Sequence, residues 1–210
     1  SQSKNLQQLL IIEFLVLIGS ISAFIITHYY IQKILIESRH LKNQLEYLAY
    51  HDELTGLFNR RNFQEQVMVT IEETPDTFAL LYLDMDKFKY INDNFGHDIG
   101  DGVIQAFVER IKECCISKPH VFARQGGDEF TILLKETNCE EAKEIANKIL
   151  QCFDRPVTVE GQSFQLSTSI GIAMYPTNGE EYLTLLKNAD NALYEAKEKR
   201  HTFEISDRVE

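Results

Sequence analysis

The sequence predicts an α/β domain, a sheet covered by helices, preceded by one long N-terminal helix. Three observations predict it. Short continuous apolar runs alternate with stretches of helical periodicity from residue 60 onward. Turn formers and helix caps stand between them. A single long apolar stretch lies near the N-terminus and has no counterpart later in the chain.

That stretch, LLIIEFLVLIGSISAFIITHYYI at 9–31, is interrupted strongly only by Glu13 and His28. It matches the roughly 20 residues a helix needs to cross a bilayer. Gly19, Ser20 and Ser22 are tolerated in such helices, and Tyr29 and Tyr30 sit where an aromatic belt lies. Lys33, Arg39 and Lys42 follow it, against Lys4 before it, so the C-terminal side is expected in the cytoplasm. A signal peptide is disfavoured by the length and by the lack of a small-residue cleavage site. The expectation is a transmembrane helix over 1–31 in the inner (cytoplasmic) membrane. The chain opens SQSKNLQQLL without Met, so an upstream part is expected.

Ile31, Ile34, Ser38, Leu41, Leu45 and Leu48 then repeat at alternating spacings of three and four. This heptad seam predicts a coiled-coil helix over 32–50 that pairs two chains. The alternative is a helix packing on its own domain.

The remaining residues, 51–210, read as one domain. Asp52, Thr55, Gly56 and Asn59 are turn and cap formers ahead of a helix over 60–73. FALLYL at 78–83 is a buried strand by its unbroken apolar run. A short turn or helix with Phe88 and Ile91 leads to a helix over 100–115. Residues 121–124 and 129–134 are strand-like around a GG turn, a hairpin. A helix over 140–153, a strand QLSTSIGIA at 165–173 and a helix over 182–199 complete the domain. This interleaving places helices over a sheet.

The formal net charge is −11, which argues against binding to DNA or RNA. Cys114, Cys115, Cys139 and Cys152 form no CxxC pair, and no His lies at zinc-like spacing, so four reduced thiols are expected.

Four acids stand out. Asp84 and Asp86 directly follow the FALLYL strand, at the end where open α/β sheets bind ligands. If the strand runs through both, they share one face; if the chain turns, they diverge. Asp128 and Glu129 sit together between apolar runs, where mutual repulsion needs an offsetting cation. Carboxylates without Cys or His make a hard oxygen site suited to Mg²⁺ or Mn²⁺, ions that commonly accompany phosphates. Gly126 and Gly127, lacking Cβ, let backbone approach a phosphate. By spacing alone, simple turn capping fits these acids equally well.

Longer motifs break that tie. GGDEF at 126–130, DELTGLFNRR at 52–61, LDMDKFKYINDNFGHDIGD at 83–101, STSIGIAMYP at 167–176 and ADNALYEAK at 189–197 together resemble the diguanylate cyclase (GGDEF) family. The resemblance covers about 50–205, in order. It implies a polymerase-palm or nucleotidyl-cyclase-like sheet. It also implies a homodimer in which each subunit holds one GTP, yielding cyclic di-GMP and two pyrophosphates. The resemblance makes Asp84 and Asp128 metal carboxylates, helped by the Met85 carbonyl, and Glu129 a further ligand or the base. It puts Asn92 and Asp101 on the guanine edge with His97 nearby, and Lys197 on the terminal phosphates. An aspartate at 101 suits guanine, whose N1–H and N2 amine can both donate, whereas adenine offers no such pair.

The chain departs from the family pattern twice. The product-inhibition motif R-x-x-D is replaced by Ser117 and His120 in SKPH, so no feedback through that site is expected. The terminal A-K-x-x-G-R-N is AKEKRHT at 196–202, with Arg200 for Gly, His201 for Arg and Thr202 for Asn. The second departure keeps open a degenerate domain that binds GTP without turning it over.

Overall fold

The computed structural model describes residues 2–73, 77–113 and 118–207, and the side chains of these except 2–12, Asn43 and Glu46. The chain forms two units, 1–48 and 49–210.

Helix α1 runs unbroken over Gln2–Tyr50. Its stretch Glu13–Tyr50 is the one candidate among the described residues long and apolar enough to cross a membrane, by length and composition only, and its most apolar 18-residue window has a mean hydropathy of 1.8. Phe14, Leu17, Phe24 and Ile25 are exposed along it. The Ser20 hydroxyl donates to the Val16 carbonyl at 2.9 Å and the Thr27 hydroxyl to Ala23 at 2.8 Å, so both are satisfied within the helix.

The second unit is a mixed sheet covered by helices, as the interleaved pattern predicts. Its strands are β1 (Phe58–Asn59), β2 (Phe78–Met85), β3 (His120–Gly126), β4 (Glu129–Leu134), β7 (Thr168–Tyr175) and β8 (Phe203–Ile205), in the order β1-β3-β4-β2-β7-β8. Strand β2 lies antiparallel to both β4 and β7. It is covered on both faces, which is why its apolar run is continuous rather than alternating. A separate hairpin joins β5 (Val157–Val159) to β6 (Gln162–Phe164) through Glu160 and Gly161, both at positive φ.

One face of the sheet carries α3 (Phe88–Phe95), α4 (His97–Glu113) and α5 (Cys139–Gln151). Its core centres on Phe107, which stacks on Phe153 at 4.7 Å and meets Phe130 at 5.0 Å between ring centroids. All three rings are fully buried, so truncating any one to Ala should cost about 3–5 kcal/mol. The other face carries α2 (Arg60–Glu73) and α6 (Tyr182–Lys199), through Phe63, Val67, Leu185 and Ala189. A Cβ on Gly171 of β7 would collide with the backbone of Ala189 and Leu193, so this glycine lets α6 lie directly on the sheet.

Two differences from the sequence expectations have physical reasons. The strand predicted over 165–173 pairs over Thr168–Tyr175, and β1, β8 and the β5–β6 hairpin are too short to show a period. Of the two outcomes left open for Asp84 and Asp86, the shared face holds, because Asp86 accepts from Ser169, which lies opposite Asp84 in the β2–β7 ladder. Cys152 is disulfide-bonded while Cys139 is free, so the expectation of four reduced thiols fails. Cys114 and Cys115 lie outside the described residues. Arg110 of α4 donates to the Cys152 carbonyl at 2.9 Å, a nearness of helix ends that spacing along the chain does not reveal.

Candidate active site

Asp84 and Glu129 face each other across the β2–β4 ladder. Alternation puts Asp84 on the same face of the sheet as Leu80 and Tyr82, under α2 and α6. Directly opposed carboxylates repel. Two donors relieve them. Lys197 Nζ of α6 lies 2.8 Å from Asp84 Oδ2, and the Tyr82 hydroxyl donates to Glu129 Oε2 at 3.2 Å. Burial pushes the Asp84 carboxyl up to about 6; the Lys197 hydrogen bond opposes this, while Asp128 and Glu129 add to it. Burial works to lower the Lys197 ammonium, but Asp84, Glu129 and Asp128 outweigh it and hold it above its usual range. Three carboxylates therefore act on one ammonium, a site short of positive charge. Among the described residues no three His, Cys, Asp or Glu side chains gather closely enough to hold a metal ion.

The signature turn is built on conformation. Gly126 has φ 148° and Gly127 φ 52°, and the β3–β4 register shifts between Arg124 and Gly126. Arg124 donates to the Gly127 carbonyl from Nε at 3.0 Å and Nη2 at 2.8 Å, and its Nη1 grips Asp52. The Met85 amide donates to the Asp128 carbonyl at 3.2 Å, pinning the hairpin tip to the end of β2. Burial works against the Asp52 charge, but Thr55 and Arg124 outweigh it and hold the carboxyl below its usual range.

Asn92 of α3 is half-buried, and its buried Oδ1 accepts no hydrogen bond. A Cβ on Gly100 of α4 would fall on that amide, so Gly100 is what lets Asn92 sit there. Asp101 follows Gly100, and His97 lies one turn before Asp101; both are exposed. His120 is exposed at the start of β3, with Nδ1 3.0 Å from the Lys118 carbonyl. Ser117 lies outside the described residues.

Asp86 shares the face of Asp84 but has its own partners. Its Oδ1 accepts from the Ser169 hydroxyl at 2.8 Å, and its Oδ2 from the Ser167 hydroxyl at 2.7 Å and the His201 amide at 3.2 Å. Sequence reasoning missed Tyr82, Arg124 and the two serines. Each has a partner 47 or more positions away in sequence (Tyr82 and Glu129 are 47 apart, Arg124 and Asp52 are 72 apart), which no local pattern marks.

Residues 49–202 match the family described as diguanylate cyclase, GGDEF domain. The chain belongs to this family. Among its relatives is the probable diguanylate cyclase DgcE of Escherichia coli, 36% identical over 165 residues, which are 77% of this chain and 15% of DgcE. Another is the cyclic di-GMP phosphodiesterase NbdA of Pseudomonas aeruginosa, 36% identical over 161 residues, 75% of this chain and 20% of NbdA. The chain spans between 15% and 50% of the length of the first curated relatives it matches. Two GGDEF solved structures are similar to it. The domain of YfiN (TpbB) from Pseudomonas aeruginosa has a TM-score of 0.71 at 34% identity, covering 75% of this chain and 95% of that one. The coiled coil and GGDEF domain of DgcB from Caulobacter crescentus, in complex with c-di-GMP, has a TM-score of 0.73 at 25% identity, covering 83% and 94%. The chain's relatives thus include proteins named for making cyclic di-GMP and proteins named for degrading it.

Proposed function

We propose that this chain is a membrane-anchored, dimeric diguanylate cyclase that condenses two GTP into cyclic di-GMP and two pyrophosphates. The observation that carries the reading is the Asp84–Glu129 pair, in register at a strand end, with Lys197 on Asp84 and a glycine turn beside it. In each half of the reaction the 3′-hydroxyl of one GTP attacks the α-phosphorus of the other. The bond to the β-phosphate breaks, pyrophosphate leaves, and the hydroxyl proton passes to Glu129. Asn92 and Asp101 read the guanine edge with His97 nearby, and Lys197 holds the terminal phosphates. Gly126 and Gly127 admit the phosphate to the backbone.

The all-oxygen donors and the shortage of positive charge fit Mg²⁺ or Mn²⁺. Asp84, Asp128, Glu129 and the Met85 carbonyl would hold the ion, which when bound offsets charge on the phosphates. In this reading residues 1–31 span the inner membrane, 32–50 pair two chains as a coiled coil, and 51–210 work in the cytoplasm. The relative placement of two half-sites is then the point of control. With Ser117 and His120 in place of R-x-x-D, product does not feed back through that site.

A second reading, a domain that holds GTP without turnover, is favoured by His201 standing where the family carries Arg. The test is GTP and Mg²⁺ with the whole chain in nanodiscs, chromatography for cyclic di-GMP, and a Glu129→Gln control. Product that disappears in the control is expected. GTP binding without product would support the second reading.

A further inference from the structure

We infer that Asp86 is a positioning residue that buckles the Arg200–His201 turn and the start of β7 onto the end of β2, and so aims Lys197 at Asp84. This rests on the reading that Asp84 and Lys197 belong to the catalytic site.

The carboxylate of Asp86 is fully engaged within the protein. Three donors from two distant segments, Ser167 and Ser169 of the β7 approach and the amide of His201, converge on its two oxygens. Its own amide donates to the Ser167 carbonyl at 2.9 Å. Asp86 thus joins three chain segments that meet nowhere in sequence.

The turn it holds needs holding. Arg200 has φ 59° and ψ 157°, a region that suits glycine, and His201 follows with φ 48°. Two consecutive side-chain-bearing residues at positive φ persist only where the surroundings impose them. The His201 amide bond to Asp86 is the contact within the turn that reaches the catalytic end of β2. The His201 ring stands 3.9 Å from Asp154 with both side chains well exposed, and Lys199 reaches Glu204 from an exposed position, so neither pair adds much.

The link to Lys197 follows from where core packing stops. Ala196 is the last buried residue of α6, and 197–200 are exposed. Lys197 lies three residues before Arg200, within the final helical turn. Its direction is therefore set by how that turn ends, and the end is fastened to Asp86. Asp84 and Asp86 then divide the work at the end of β2: one faces Lys197, the other holds the turn that Lys197 precedes.

The test is Asp86→Asn in the whole chain. The amide keeps the shape but offers one acceptor oxygen where the carboxylate has two. Amide hydrogen exchange over 197–202, without nucleotide, is expected to rise about tenfold or more. The KM for GTP is expected to rise about tenfold, and more than kcat falls. In a Lys197→Met background, Asp86→Asn should add nothing to KM. Unchanged exchange over 197–202, or effects of the two substitutions that multiply, would overturn the inference. A fall in thermal midpoint with unaltered kinetics would do the same. If the wild-type chain makes no product, the cyclase reading fails while the exchange comparison still decides the role of Asp86. If Asp86→Asn does not fold, Ser169→Ala, which removes one of the three donors, is read by the same exchange and must show a smaller rise in the same segment.

Discussion

The Arg124 guanidinium lies 3.0 Å from Oδ1 and 3.2 Å from Oδ2 of Asp52, and so fastens the signature hairpin to the first loop of its unit. The two side chains are 11% and 24% exposed, so the pair is shielded enough to matter. Arg124→Ala also strips the Gly127 carbonyl of two donors. We expect it to destabilise the unit by about 2 kcal/mol, read as a lower urea midpoint. The folded-state carboxyl of Asp52 is lowered, so its stabilisation is complete above the unfolded value of 3.8 and disappears as pH falls through the folded value. Asp52→Asn should therefore narrow the stability gap to wild type only at strongly acidic pH.

Asp84 has the opposite sign. Its folded-state carboxyl is raised to about 6, so what it contributes to stability is present below 3.8 and is lost as pH rises through 6. A divalent cation needs the charged form. Its affinity should therefore climb about tenfold per pH unit up to about 6 and then level off. Calorimetric titration with Mg²⁺ or Mn²⁺ across that range checks it, and a flat profile would contradict it.

Tyr82→Phe removes the one described side-chain donor to Glu129. With the ring retained, folding should be nearly unaffected. kcat should fall about tenfold, as for a lost hydrogen bond to a charged group.

Gly100→Ala should improve helix propensity in α4 by about 0.5–1 kcal/mol, yet its Cβ falls on Asn92. We expect a higher KM for GTP with kcat less affected. A variant of normal GTP affinity would show that Asn92 does not touch the base.

Arg200→Gly should raise the thermal midpoint, because φ 59° with ψ 157° costs a side-chain-bearing residue about 1 kcal/mol or more. Differential scanning calorimetry reads it directly.

What the sequence by itself determined was whatever is written in period, turn chemistry and motif. FALLYL marked the central strand because burial on both faces demands an unbroken apolar run. The helices 60–73 and 182–199 were legible from their spacing and agree with α2 and α6. The two-residue strand β1 and the three-residue β8 were not, because they exist only by pairing with β3 and β7.

In the site, the acids were visible as types and their arrangement was not. That Asp84 meets Lys197 while Asp86 is taken up by Ser167, Ser169 and His201 depends on residues more than 80 positions away. Only the tertiary structure set Lys197 on Asp84, Tyr82 on Glu129 and Arg124 on Asp52. The physical reason is one and the same. A carboxylate buried at a strand end must find its counter-charge or donor in space, and the chain supplies it from whichever element the sheet brings alongside.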